Sequence, residues 1–332
     1  MPQILVPDEI HQDGLARLRD RERYLLDDGA LTSENRRERL AIADGMIVRG
    51  TRIDRALLDA APRLRFVCRH GVGYDHVDVP ALTERGILLA VTPEANAASV
   101  AEHALMLMLA SARQLRATDA AVRRGEWRVR GSSQAFDLAD RTVLLVGFGR
   151  IGIRVARLCT SIGMRVLVFD PYVPGRIVRA QGCVPVAGLA EGLAAADVVS
   201  LHCPSNDRTR GMVDASFLAA MRPGAVLVNT ARGTLVDEPA LEAALRSGPL
   251  SAAGLDVLAV EPMAQPVPLL ALPNVFLTPH VAASSEQGLR RMAVSAAENV
   301  VAFFEGGLDP EALINPEAGG SVGEAQRMVQ FP

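Results

Sequence analysis

The stretch from Arg141 to Asp170, RTVLLVGFGRIGIRVARLCTSIGMRVLVFD, constrains this chain more than any other. Thr142 to Val146 is an apolar run of strand length, and Gly147, Gly149 and Gly152 follow in the spacing G-x-G-x-x-G. A helical pattern then runs to about Ser161, and a second apolar run ends on Asp170. Glycines so spaced say little alone. Between a strand and a helix, with an acid about 20 residues on, they form a dinucleotide-binding turn. Gly147 permits the tight turn, Gly149 lets a pyrophosphate reach the backbone, and Gly152 lets the helix pack close to its strand. The helix start offers unpaired N–H groups and a positive dipole end to the phosphates. Asp170 selects the dinucleotide, because its carboxylate accepts from ribose hydroxyls and repels a 2′-phosphate. Pro171 and Tyr172 bring no cation to receive that phosphate, so NAD is the expected cofactor.

At 332 residues and 49% hydrophobic content, the chain has material for two cores. Its longest apolar runs, such as Ala104 to Ala110, are too short for a membrane span, and MPQILVPDEI reads as a first strand, not a signal peptide. A net charge of −3 argues against a nucleic-acid partner. Cys68, Cys159, Cys183 and Cys203 are scattered with no C-x-x-C pair, which fits a reducing cytoplasm and argues against disulfides or a metal site. All 35 basic residues are arginine, which excludes Schiff-base chemistry and a P-loop lysine.

Residues 1 to about 95 alternate strands and helices of their own. Ile4–Val6, Arg23–Leu26, Met46–Val48, Arg65–Cys68 and Ile87–Ala90 read as short buried strands, with helices over Ile10–Arg19, Glu34–Ala43 and Asp54–Ala60. That alternation implies a parallel sheet covered on both faces, here without the glycine fingerprint. After the strand RFVC, the run Arg69-His70-Gly71-Val72-Gly73 makes a backbone-lined pocket suited to a carboxylate. Arg49 ends the preceding strand, and with Arg69 it can receive a second anion such as a phosphate. A long helix is expected from about Ala98 to Arg124, then an irregular connection over Glu126–Asp140 carrying Trp127.

Beyond Asp170 the strands Asp197–Leu201, Ala225–Asn229, Ala253–Val257 and Val275–Leu277 end near His202-Cys203-Pro204, Thr230-Ala231-Arg232, Asp256 and Glu261, and Thr278-Pro279-His280. Ligands of open α/β sheets sit outside the carboxyl ends of the strands, so these residues are expected beside the nicotinamide. A last helix runs from Ser284 to about Phe304. Carbonyl or alcohol chemistry there needs a proton carrier, and His280 and His202 both qualify by position. Glu261 beside an imidazole favours its protonated form, and Arg232 supplies a fork for a substrate carboxylate and a developing alkoxide.

The motifs VGFGRIG, NTARGTLVDEPAL, AGLDVLAVEP and LTPHVAASSEQ together resemble the D-isomer-specific 2-hydroxyacid dehydrogenases over nearly the full length. The first-domain loops are most similar to the family's phosphoglycerate dehydrogenase-like members. The resemblance implies an α/β fold of two doubly wound parallel-sheet domains, a Rossmann NAD-binding domain (97–285) inserted into a flavodoxin-like substrate domain (1–96 plus 286–332). It implies Arg232, Glu261 and His280 as the catalytic set, which selects His280 over His202. It implies NAD contacts at Gly147, Gly149, Arg150, Ile151, Gly152, Asp170, Cys203, Thr230, Ala231, Arg232, Asp256 and His280, joined on the same rim by His202, Pro204 and Ala283. Substrate contacts are expected at Arg49, Arg69, His70, Gly71, Val72, Gly73 and Arg232. The implied reaction is hydride transfer between NAD(H) and a small D-2-hydroxy acid/2-oxo acid pair, with 3-phosphoglycerate/3-phosphohydroxypyruvate suited to the arginines. A glyoxylate/hydroxypyruvate reductase is the alternative, and a non-enzymatic NAD-sensing module is a third reading. The family further implies a homodimer formed through residues 98 to 140.

Overall fold

Short, wholly apolar strands bury best in sheets covered on both faces. A computed structural model describes residues 1–131, 135–263 and 265–319. The chain forms two units, Met1–Asn96 with the chain from Ser284 onward, and Ala97–Ala283.

In the first unit β1 (Gln3–Val6), β2 (Leu25–Asp28), β3 (Gly45–Val48), β4 (Phe66–Arg69) and β5 (Leu88–Ala90) form one sheet in the order β2-β1-β3-β4-β5. Every pairing is parallel, and 2-1-3-4-5 is the flavodoxin-like order. Successive strand residues face opposite ways. Ile4, Val6, Ile47 and Phe66 therefore pack with Leu15, Leu18, Ala293 and Val300, while Leu5, Met46, Val48 and Val67 pack with Leu40, Leu57 and Leu82. The helix Glu286–Glu305 thus completes this core from the far end of the chain. It meets the helix Gln12–Arg19 so closely that a Cβ on Gly14 would lie 2.6 Å from the Ala293 carbonyl. β2 starts two residues later than Arg23–Leu26 predicted, because its one partner, β1, sets its ends through Gln3↔Leu25 and Val6↔Asp28.

The second unit contains β6 (Thr142–Val146), β7 (Arg165–Phe169), β8 (Val184–Pro185), β9 (Val198–Leu201), β10 (Ala225–Asn229), β11 (Leu250–Leu255) and β12 (Val275–Leu277). Their order, β12-β11-β10-β9-β6-β7-β8, is the Rossmann order extended by one strand. The chain moves outward from β6 to β8 and returns on the other side at β9, so the switch point lies between β6 and β9. Register aligns the strand ends: Phe169, Val146, Leu201, Asn229, Leu255 and Leu277 form one row of paired residues. β11 ends two residues before the predicted Val257, which leaves Asp256 just beyond that row.

The single helix predicted over Ala98–Arg124 is two helices, Ala97–Ala112 and Leu115–Arg123. Gln114 between them is left-handed, with φ +50°. The cause lies outside the helix: the Ala112 carbonyl accepts from the Phe136 N–H (3.0 Å) instead of from the next helical turn. In the connection that follows, Trp127–Gly131 forms a 3-10 turn. Residues 132–134 of that connection, and the tail from residue 320, lie outside the described residues.

Candidate active site

The residue after each aligned strand end begins a loop, and the loops of the second unit share one rim. Gly147 has φ +101°, and a Cβ there would lie 2.7 Å from Cys203 N. A Cβ on Gly152 would sit 2.4 Å from the Gly147 carbonyl oxygen. Gly149 has open space beside it, and no side chain caps the helix Arg150–Ser161 that follows. The first backbone bond of this helix runs from Ile153 to Gly149, so the N–H groups before Ile153 have no intrahelical acceptor. Asp170 closes the turn: Oδ2 accepts from Phe148 N (2.8 Å) and Oδ1 from Tyr172 N (2.9 Å). An open backbone face and an uncapped helix start fit the pyrophosphate of a dinucleotide.

The last residue of β10, the fully buried Asn229, clasps the loop that follows. Its Nδ2 donates to the Arg232 carbonyl (2.8 Å), and its Oδ1 accepts from Ala231 N (3.0 Å). Thr230 Oγ1, buried in that loop, has no hydrogen-bond partner among the described residues. Gly233 is forced by close approach, since a Cβ there would overlap the Leu258 carbonyl at 1.9 Å. That contact presses the Arg232 loop against the loop that carries Glu261.

Glu261 Oε1 accepts from Leu258 N (2.7 Å), and Oε2 lies 2.6 Å from His280 Nδ1. Burial pushes the Glu261 carboxyl up. Hydrogen bonds from His280 and the Leu258 N–H, with the nearby Arg232 charge, outweigh it and hold the carboxyl below its usual range. An ionised carboxylate only accepts, so Nδ1 carries a proton and the ring is oriented through that nitrogen. His280 holds a left-handed backbone, φ +54°, a conformation that costs about 1–3 kcal/mol for a residue with a Cβ and needs surrounding bonds to persist.

His202, the rival by position, lies beneath the glycine turn with Nε2 2.9 Å from Ser200 Oγ. Burial pushes its pKa down to about 4, so the ring is neutral at working pH. Burial also pushes the Cys203 thiol up to about 11, which leaves no thiolate on this rim. A cavity of about 540 Å³ lined by Ser111, Asp197, Arg222 and Asn274 lies at the opposite edge of the sheet, near the strand starts, away from this chemistry.

In the first unit, Val48 of β3 pairs with Arg69 of β4, so Arg49 and Arg69 emerge at one edge. The N–H groups of Arg49, Gly50 and Thr51 all donate to Asp8 Oδ2 (2.7, 3.1 and 3.0 Å). Burial opposes ionisation of Asp8, and these three donors still hold its carboxyl below the usual value. The backbone nest beside Arg49 is thus filled from within. Arg69 Nη1 donates to the His70 carbonyl. His70 is 2% exposed, and burial, with the charges of Arg49 and Arg69, pushes its pKa down to about 4. Gly71 and Thr92 exchange hydrogen bonds, which pins the loop.

Sequence position named most of these groups. It missed the supporting roles of Asp8, Asn229 and Ser200. NT in the motif NTARG was the only local signal, since an Asn after a strand readily bonds its own loop.

A parallel sheet in this strand order, with a glycine turn and an imidazole–carboxylate pair on one rim, defines a dinucleotide-binding α/β protein with an acid–base site. A family profile described as "D-isomer specific 2-hydroxyacid dehydrogenase, NAD binding domain" matches residues 105–282, and the chain belongs to that family. The chain therefore carries the family's NAD-binding domain. It is 41% identical over 318 residues to the D-3-phosphoglycerate dehydrogenase of Mycobacterium leprae, covering 94% of this chain but 59% of that protein. It is 38% identical over 322 residues to the glyoxylate reductase of Korarchaeum cryptofilum, covering 95% of this chain and 96% of that one. The structure of D-lactate dehydrogenase from Aquifex aeolicus, complexed with NAD and lactic acid, superposes with a TM-score of 0.83 at 28% identity, covering 94% of this chain and 99% of that one. Among the described residues no helix is long and apolar enough to cross a membrane.

The lowered Glu261 carboxyl fixes a pH dependence. A group whose folded pKa is depressed stabilises above its unfolded value, and the contribution fades as pH falls through the folded value. The thermal midpoint of Glu261→Gln is expected to lie below that of the unaltered protein at neutral pH. The gap is expected to close as pH falls below the ordinary carboxyl value of 4.5. A gap that widens on acidification contradicts the ion pair.

Proposed function

We propose that this chain is an NAD-dependent oxidoreductase that interconverts a small D-2-hydroxy acid and its 2-oxo acid. The observation that carries this reading is the 2.6 Å contact between Glu261 and His280 on the rim shared with the glycine turn. Bound NAD supplies or accepts the hydride at C2 of the substrate. Gly147, Gly149 and Gly152, the helix start at Arg150 and Ile151, and Asp170 hold that cofactor, with Thr230 and Asp256 as further contacts. His280 Nε2 gives a proton to the carbonyl oxygen in reduction and takes it from the hydroxyl in oxidation. Glu261 orients the ring and balances its charge when both nitrogens are protonated. Arg232 offers its planar fork to the substrate carboxylate. In His280→Ala, kcat is expected to fall about 10²- to 10⁴-fold, while NADH titrates as before. Near-normal turnover contradicts the assignment.

Substrate identity we assign to Arg49, Arg69 and the loop through Gly73. Among the described residues the N–H groups of Val72 and Gly73 meet no acceptor, which suits a carboxylate. Two arginines at the same sheet edge suit a phosphate and favour 3-phosphoglycerate/3-phosphohydroxypyruvate. The second reading is a glyoxylate/hydroxypyruvate reductase. It is favoured by the Arg69 guanidinium lying on the His70 carbonyl and by Asp8 filling the nest beside Arg49. His70, buried and neutral, lines this loop without adding charge. Under the first reading, Arg49→Ala and Arg69→Ala each raise KM for 3-phosphohydroxypyruvate about tenfold or more and leave hydroxypyruvate unaffected. Equal effects on both substrates, or none, select the second.

A homodimer belongs to the same proposal. Met106, Leu109, Leu115, Val122 and Trp127 project apolar side chains from adjoining elements of the second unit, Leu115 being 56% and Trp127 66% exposed. Apolar groups clustered like this favour burial against a partner. Light scattering is expected to give a dimer mass that falls to the monomer in Leu115→Asp. A monomeric parent protein sinks the dimer.

A further inference from the structure

Asp256 follows β11 and is 1% exposed. A buried carboxylate needs donors, and the next strand's loop provides them. Oδ1 accepts from Thr278 Oγ1 (2.6 Å) and Val281 N (2.9 Å), and Oδ2 accepts from Ala282 N (2.9 Å). The main-chain oxygen of Asp256 accepts from His280 N (2.7 Å). His280 thus sits within a loop tied to Asp256 on both sides, its own N–H also reaching the Thr278 carbonyl (3.1 Å).

Thr278 has a single hydroxyl proton, and it is spent on Asp256, because a carboxylate only accepts. Thr278 Oγ1 also lies 2.9 Å from His103 Nε2. In that contact the hydroxyl oxygen must accept, so His103 Nε2 carries the proton and donates. His103 stands on the helix Ala97–Ala112 and lies 3.5 Å from Asp256 Oδ1. A directed chain therefore runs from this helix through Thr278 to Asp256, and from there to the backbone of His280. The left-handed φ of +54° at His280 lies within the segment this chain secures.

We propose that His103, acting through Thr278 and Asp256, is a positioning residue that holds His280 in the left-handed conformation that keeps Nδ1 on Glu261. His103 does not touch the reacting atoms. The inference rests on the reading of His280 as the proton carrier. If the chain of bonds is cut, Thr278 is free to rotate away from Asp256, and His280 can relax toward ordinary backbone angles. The ring then leaves Glu261, and Nε2 loses its aim.

The experiment compares His103→Ala, His103→Gln and Thr278→Val with the parent, with His280→Ala alongside, measuring kcat, KM, NADH affinity and thermal midpoint. A glutamine amide can still donate to Thr278. His103→Ala is expected to lower kcat about 10- to 100-fold, the scale of a misplaced catalytic group, with NADH affinity and midpoint unchanged. His103→Gln should recover most of that loss. His103→Ala added to Thr278→Val should cost little more than Thr278→Val alone, because both cut one chain. Parent-like kcat in His103→Ala beside an inactive His280→Ala overturns this inference and leaves the proposed function standing. An active His280→Ala overturns both. A loss in His103→Ala that follows NADH affinity or the thermal midpoint, or that glutamine does not repair, also overturns the positioning role.

Discussion

The alignment of strand ends is the constraint on which the rest depends. Parallel strands in register expose their carboxyl-terminal loops along one edge, and in the second unit six of them stop in a single paired row. The strands beneath are almost wholly buried, so this edge is a rigid base. Loops that carry chemistry need such support, because a misplacement of about an ångström degrades a catalytic group. The glycine turn, Asp170, the Arg232 loop, Asp256 and His280 lie along one rim because each follows the end of a strand.

What stiffens those loops is the high cost of leaving a buried polar group unpaired. A single hydrogen bond adds about 1 kcal/mol net, whereas an orphaned buried acceptor costs about 1–3 kcal/mol, and more if charged. Asp256 carries three side-chain bonds, and Asn229 two. Moving either loop strands those groups, so the bonds act less as net stabilisation than as a penalty on every other arrangement. Asp8 does the same in the first unit for the loop of Arg49. Thr230 Oγ1 is one counterexample among the described residues, buried on the same rim and unpartnered.

How much of this was legible in the sequence follows from the range of the interactions. The glycine turn and the strand ends are local patterns of period and turn chemistry, and they were readable. Spacing left His202 and His280 equivalent, since both follow strands; only the fold shows that His202 meets Ser200 beneath the glycine turn while His280 meets Glu261. The break at Gln114 depends on an N–H from Phe136, and helical periodicity carries no trace of it. The bond from His103 to Thr278 spans 175 residues, and that from Asp8 to Arg49 spans 41. Contacts of that range arise only once the sheets have formed.

Chemically, the site reduces to one proton and its location. Glu261 is an acceptor, so Nδ1 of His280 must be protonated and donate to it, which leaves Nε2 as the nitrogen proposed to exchange the proton. With 6 histidines in the chain, selective ¹⁵N labelling and a His280→Asn control identify the ring signals by NMR. At neutral pH the Nδ1 of His280 is expected to be protonated and strongly hydrogen-bonded, and to lose this signature in Glu261→Gln. A bare Nδ1 with the proton on Nε2 would contradict that placement of the proton.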